Sequence, residues 1–196
     1  MAGKLHTQSL WLIFLAIWLI ACKEYQKSGY NTQSTKVIYE PEYAAFFRVL
    51  EANNKRYIVF INPLENGDND TLLIDTTGLN LAALSATHSA FLSEINAANR
   101  IKAVDNCSFH GHETMQQRCQ EEQVYSFGET NYINPEVLLR HKINCVTISG
   151  FDSKPQWSAN ANRAGISTLR IWEWKEKHQL PATEEQMAKF NELNKK

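Results

Sequence analysis

No stretch of this 196-residue chain is apolar for long enough to cross a bilayer comfortably. The one unbroken apolar run occupies residues 10–21, whereas a spanning helix needs about 20 such residues. Charge of one sign is missing too. The formal net charge is −1, so no bulk field draws the chain to nucleic acid or to an anionic membrane surface. Catalytic signatures are absent: there is no G-x-S-x-G, no H-E-x-x-H, no P-loop and no G-x-G-x-x-G, which removes the commonest hydrolase, metalloprotease and nucleotide-enzyme readings. Ser85, His88, Asp75 and Asp105 carry the groups of a triad, but nothing in their spacing supports one. There is no internal repeat, and the only low-complexity stretch is the polar segment of residues 23–36. Cysteine is scarce, at four residues.

What is present argues for a folded body. Hydrophobics at 43% and aromatics at 11% supply a core that a disordered chain lacks. Residues 1–21 read as a signal peptide, because the apolar run has the length of a signal core, about 7–15 residues. Its end, Leu19-Ile20-Ala21-Cys22, resembles a bacterial lipobox, which implies lipidation at Cys22 and tethering to the cell-envelope membrane on its extracytoplasmic, periplasmic side. Residues 22–36 then read as a flexible tether.

From Val37 the character changes. Phe46-Phe47-Arg48-Val49-Leu50 and Tyr57-Ile58-Val59-Phe60-Ile61 are β-branched and aromatic, and Asn53-Asn54 between them is hairpin chemistry. A turn at Asn66-Gly67-Asp68-Asn69-Asp70 precedes a third strand at residues 71–75, so residues 37–78 form an antiparallel β meander. Residues 79–180 alternate strands and helices. Strands are expected at 79–84, 100–104, 144–149 and 166–172. Helices are expected after residue 88 with Thr87 as cap, from Asn134-Pro135-Glu136, and over residues 155–164. This alternation predicts an α/β, Rossmann-like lobe, a parallel sheet flanked by helices. Residues 181–196 read as an amphipathic helix with Met187, Phe190 and Leu193 on one face.

Leu84-Ser85-Ala86-Thr87-His88-Ser89, followed by Asn99-Arg100-Ile101-Lys102-Ala103-Val104, resembles the first βαβ unit of metal-chelate substrate-binding proteins of ABC importers. Phe127-Gly128-Glu129, Ile133-Asn134-Pro135-Glu136 and Ala164-Gly165-Ile166 continue the likeness. Lys142-Ile143-Asn144 departs from it, with Ile143 where proline is usual and Asn144 where aspartate is usual. The resemblance implies a non-enzymatic receptor whose bound ligand is a ferric siderophore, haem or cobalamin, and whose partner is an ABC permease. The family has two lobes, and this chain carries about one. It is expected to be truncated, split, or a single lobe reused, with a second lobe or second copy as a further partner. The alternative reading is a degenerate single-lobe surface interaction module that binds no chelate.

Ligands of open α/β sheets meet the loops at the carboxyl ends of the strands. On those loops His88, Phe109, His110, Phe151, Trp172 and Trp174 are the expected ligand-binding residues, since aromatic faces suit a flat chelate and an imidazole can ligate iron or bond a carboxylate. Against this stand helix capping or packing for His88, and packing under a helix for Trp172 and Trp174. Glu136 aligns with the acid that docks family members onto a permease arginine, although an acid in a first helical turn is favoured by the macrodipole in any case. Cys107, His110, His112 and Cys119 combine thiols and imidazoles that suit a soft metal. Their spacing matches no standard structural site, so no metal is assigned. An exported setting favours a Cys107–Cys119 disulfide, and free thiols are the remaining state.

Overall fold

Asn53 and Asn54 take φ of 53° and 58°, the left-handed geometry that a two-residue hairpin requires and that asparagine tolerates. They join β2 (Phe47–Ala52) to β3 (Lys55–Phe60), with Ala52 paired to Lys55 across the turn. β1 (Lys36–Tyr39) and β4 (Asp70–Ile74) complete an antiparallel sheet in the order β1-β2-β3-β4. The computed structural model describes residues 35–64, 67–74, 78–128, 130–150, 153–176, 184–185, 187–189 and 191–192. The expected signal peptide, Cys22, most of the tether, Asp75, Glu129, Phe151, Phe190 and Leu193 lie outside the described residues. Lys36, read as the end of the tether, already pairs with Glu51.

The second sheet holds β5 (Leu81–Ala83), β6 (Ile101–Val104), β7 (Tyr125–Ser126), β8 (Cys145–Ser149) and β9 (Ser167–Ile171). All its pairings are parallel, in the order β7-β6-β5-β8-β9. Cys145, Val146, Thr147 and Ile148 are all buried, which is why β8 reads as an unbroken apolar run rather than an alternating one. Four helices connect the strands: α1 (Ala86–Glu94), α2 (Glu113–Gln120), α3 (Pro135–Arg140) and α4 (Ser158–Arg163).

The core divides along the plane of this sheet. On one face Ala83, Val104, Cys145 and Leu169 pack with Phe91 and Leu92 of α1, Met115 of α2 and Phe47, Ile58, Phe60 and Leu72 of the meander. On the other, Ala82, Ala103, Val146 and Ile148 pack with Leu138 of α3, Trp157, and Ala161 of α4. The expected α/β class is the observed one, a parallel sheet covered on both faces and preceded by a meander.

Two local expectations change. Ser85, not Thr87, occupies the N-cap of α1, and its side chain makes no cap bond. The reason is the ladder: Leu84 N still donates to Thr147 O at 2.9 Å, so the chain leaves the sheet at Ser85, whose carbonyl takes the first helical bond from Ser89. The helix expected over residues 155–164 is regular only over Ser158–Arg163, because residues 155–158 form a turn closed by Ser158 N on Pro155 O. Asn134 caps α3 as expected, its Oδ1 accepting from Glu136 N at 2.9 Å.

Residues 106–123, for which no helix is expected, hold a short 3-10 turn (Cys107–Phe109) and α2, stapled by the favoured Cys107–Cys119 disulfide with a sequence separation of 12. Replacing both cysteines by serine is expected to lower unfolding free energy by about 3 kcal/mol, the closure entropy of a loop this size. Denaturant midpoints of the two proteins measure it. An unchanged midpoint would show that packing around Met115 alone holds α2 in place.

Candidate ligand site at the strand-order reversal

The chain builds outward from β5 through β6 to β7, then returns to add β8 and β9 on the other side. The order therefore reverses between β5 and β8, and a crevice opens outside the carboxyl ends of those two strands. Leu84 and Ser85 leave β5 there, and Ile148 and Ser149 end β8. With Thr130, Ser153, Pro155 and Trp157 they enclose a recess of about 260 Å³. Trp157 is buried and is fixed by its Nε1–H, which donates to Thr130 O at 3.0 Å.

Behind Ser149 lies a buried polar group. Ser149 Oγ donates to Glu173 Oε1 at 2.6 Å, and His88 Nε2 stands 3.5 Å from Glu173 Oε2, longer than a good hydrogen bond. His88 is fully buried, and neither of its ring nitrogens has a hydrogen-bond partner among the described residues. Burial pushes the Glu173 carboxyl up, but neighbouring His88 and the Ser149 hydroxyl outweigh it and hold the group below its ordinary value. A depressed carboxyl stabilises the fold above its unfolded value, about pH 4.3, and loses that contribution as pH falls through the lower folded value. Glu173→Gln is therefore expected to flatten the loss of stability below about pH 4.3. Urea midpoints from pH 3 to 7 test this, and parallel curves for the two proteins would refute it.

A second buried set lies nearby in sequence. His110 Nδ1 is 2.6 Å from Ser89 Oγ, and His110 Nε2 is 2.6 Å from Asp105 Oδ1. Ser89 Oγ also donates to Ala86 O at 2.9 Å. The types are those of a catalytic triad, but Ser89 and His110 are both buried, so no substrate carbonyl reaches the hydroxyl. Asp105 thus pairs with His110 rather than with His88, and Ser85 lines the recess instead.

The expected ligand residues separate into two groups. His88, His110 and Trp172 are buried. Trp172 lies against Gly150, where an added Cβ would stand 2.3 Å from its ring. Phe109 and Trp174 are exposed, at 63% and 46%. Trp174 is held by its Nε1–H on Gly150 O at 2.6 Å, with Lys175 Nζ 4.8 Å over the ring. Tyr132, which sequence reasoning passed over, is 69% exposed on the connection after β7. Phe109, Tyr132 and Trp174 all follow parallel strands and so stand at the carboxyl end of the sheet with the recess. Ser149, Trp157 and Glu173 were likewise missed as site residues. Glu136 is exposed in the first turn of α3. Among the described residues no set of three or more His, Cys, Asp or Glu side chains could hold a metal ion. The thiols of Cys107 and Cys119 are joined, and His112 Nε2 instead meets Glu94 Oε1 at 3.1 Å. No described helix is long and apolar enough to cross a membrane.

Fold and site together define a doubly wound α/β lobe with a hydroxyl-lined, tryptophan-walled recess at its strand-order reversal. No protein-family model matches the chain, and no curated protein matches it. Solved structures that are similar in part include two, compared by fold only. Holo-ViuP shares 14% identity over 65% of this chain and 45% of its own, with a TM-score of 0.40. A point mutant of the heme binding protein HmuT shares 10% over 82% of this chain and 45% of its own, with a TM-score of 0.46. The chain spans less than half the length of either structure, and a likeness of this degree carries no conclusion about ligand.

Proposed function

We propose that this chain is a receptor lobe rather than an enzyme: the lipid-anchored substrate-binding component of an ABC importer, taking a ferric siderophore, haem or cobalamin. The observation that carries the binding reading is the recess between β5 and β8, the position where open α/β sheets receive ligands, with exposed Phe109, Tyr132 and Trp174 at the same end of the sheet. The chelate class comes from the sequence resemblance. Cys22 would hold the lobe beside its permease, which raises the effective concentration of one for the other. Exposed Glu136 would pair with a permease arginine. A recess of about 260 Å³ falls below the roughly 300–1,000 Å³ of a complete small-molecule site. It therefore fits one part of a large ligand, the remainder lying across the aromatic rim or against a second lobe or copy. The same small size favours, as the second reading, a surface interaction module whose exposed aromatics meet protein.

Titration of the full chain with haem, cobalamin and a ferric catecholate siderophore tests the first reading. The expected result is a shift in the ligand's visible absorption with quenching of tryptophan fluorescence. No shift with any of the three overturns the importer reading and leaves the interaction module. Mass spectrometry of the membrane-extracted protein tests the anchor, with diacylglyceryl and acyl mass on Cys22 as the expected finding and an unmodified Cys22 as the refuting one.

A further inference from the structure

The meander turns one face to the core and the other away from it. Residues directly opposite each other on antiparallel strands share a face. The register sets Val49, Ile58 and Leu72 opposite one another, and all three belong to the core. The neighbouring register line is Val37, Leu50, Tyr57 and Leu73, one residue from each of the four strands. None of these four is part of either core. Val37 is 47% exposed and Leu73 40%, with Leu50 and Tyr57 half-buried between them. The outer face of an antiparallel sheet is ordinarily polar, yet here an unbroken apolar row crosses all four strands. Ile38, left unpaired where the β1–β2 register shifts, is exposed next to Val37. The charge of this face is basic. Arg48 and Lys55 share its parity, and no acid among the strand residues does. Arg48 also meets Glu40 at 3.2 Å, an exposed pair of little strength in water.

Three properties select what covers the row. A stable protein partner needs about 800 Å² from each side, whereas four strands about 4.8 Å apart give a strip roughly 15 Å long and one residue deep. Basic side chains beside a tyrosine, whose ring is apolar and whose tip is polar, suit the headgroup boundary of a bilayer. Finally, β1 is the first described strand after the tether. Residues 23–35 separate it from Cys22, a reach of about 45 Å at full extension.

We propose that the outer face of the meander rests on the phospholipid surface and so fixes which way the lobe stands on the membrane. Val37, Leu50, Tyr57 and Leu73 meet the headgroup boundary, and Arg48 and Lys55 meet anionic headgroups. This rests on the reading of Cys22 as a lipid anchor, which holds the chain at the surface and raises the effective concentration of the face there. The net charge of −1 gives no bulk attraction, so the contact is local to this face.

Photo-crosslinking of the full chain, extracted from membranes, tests the proposal. The chain is placed in vesicles of phosphatidylethanolamine and phosphatidylglycerol that contain a phospholipid with a diazirine near its headgroup, and lipid adducts are mapped by mass spectrometry. Adducts are expected on Val37, Leu50, Tyr57 and Leu73. Leu73→Glu, at an exposed position, should lower the yield on the other three about tenfold, because a carboxylate then faces the lipid boundary. Gln116→Glu, which adds the same charge on exposed α2, should leave it unchanged. Exchanging phosphatidylglycerol for phosphatidylcholine should lower it about fivefold, the contribution of one basic side chain near an anionic surface. Adducts spread evenly over the protein, or gathered at the recess end of the lobe, overturn the proposal. So does a dimer in vesicle-free solution that Leu73→Glu dissolves, since a second copy then covers the row. Acylated Cys22 with no adduct on the face overturns the proposal alone. Adducts on the face of a chain whose Cys22 is unmodified support the face and overturn the anchor reading.

Discussion

Asp70→Ala is expected to destabilise the protein by about 3–5 kcal/mol, the cost of leaving a buried charge without its partner. Asp70 and Arg170 are both buried. Arg170 Nε donates to Asp70 Oδ2 at 2.9 Å and Nη2 to Oδ1 at 3.0 Å, the two-pronged geometry that makes an arginine–carboxylate pair strong. The Arg170 backbone N–H adds a bond to Oδ2 at 2.8 Å, and Lys154 Nζ lies 2.5 Å from Oδ1. Asp70 opens β4 and Arg170 sits in β9, so this one carboxylate joins the edge of the antiparallel sheet to the edge of the parallel one. Alanine would leave the guanidinium its bond to Asp68 O, at 2.6 Å, without a counter-charge, and would strand Lys154 beside it. Asp70→Ala paired with Arg170→Met should cost less than Asp70→Ala alone, since the buried guanidinium is then gone and only the more exposed Lys154 is left unpaired. Urea midpoints of the unsubstituted protein and of these two variants measure this. A loss under about 1 kcal/mol for Asp70→Ala would mean that water screens the network as it does a surface pair.

That network also shows where reading from sequence stops. The hairpin was legible because Asn53 and Asn54 must take positive φ in a two-residue turn, and α3 because Asn134-Pro135 is a local start signal. The parallel sheet was legible because strands and helices alternate with short connections. Local chemistry decides all three. Asp70 and Arg170 stand 100 residues apart, and only the packing of β4 near β9 brings them together. The same holds for Ser149 with Glu173 and for His110 with Ser89 and Asp105, whose partners come from different strands and helices. His88 reads as a ligand residue with capping or packing as the alternative, and α1 turns it inward with Ser89 beside Phe91 and Leu92. The packing alternative is the one that the burial of His88 matches. Trp157 reads within the first turn of a helix over residues 155–164 and instead precedes α4 and closes the recess, because the turn at residues 155–158 delays that helix.

Trp157→Ala is expected to cost about 3–5 kcal/mol as well, through a cavity rather than a charge. The indole is buried against Ile148, Val146 and Leu138 in the core of the α3–α4 face. Its removal leaves a void bounded by strand and helix backbone that cannot close on it. It also removes the Nε1–H that Thr130 O accepts, and with it the restraint on the connection between β7 and α3. Trp157→Phe separates the two contributions. It retains most of the ring and loses the donor, so its cost should be nearer 1–2 kcal/mol, the range for a lost hydrogen bond with its partner left bare. Binding provides a second readout that Asp70→Ala does not share. Trp157 is a wall of the recess and Asp70 is not, so Trp157→Ala should abolish the absorption shift of an added chelate in protein that is still folded at low temperature, while Asp70→Ala leaves that shift unchanged wherever it remains folded. Equal losses of that shift in both variants would show that the recess responds to overall stability and not to its own wall.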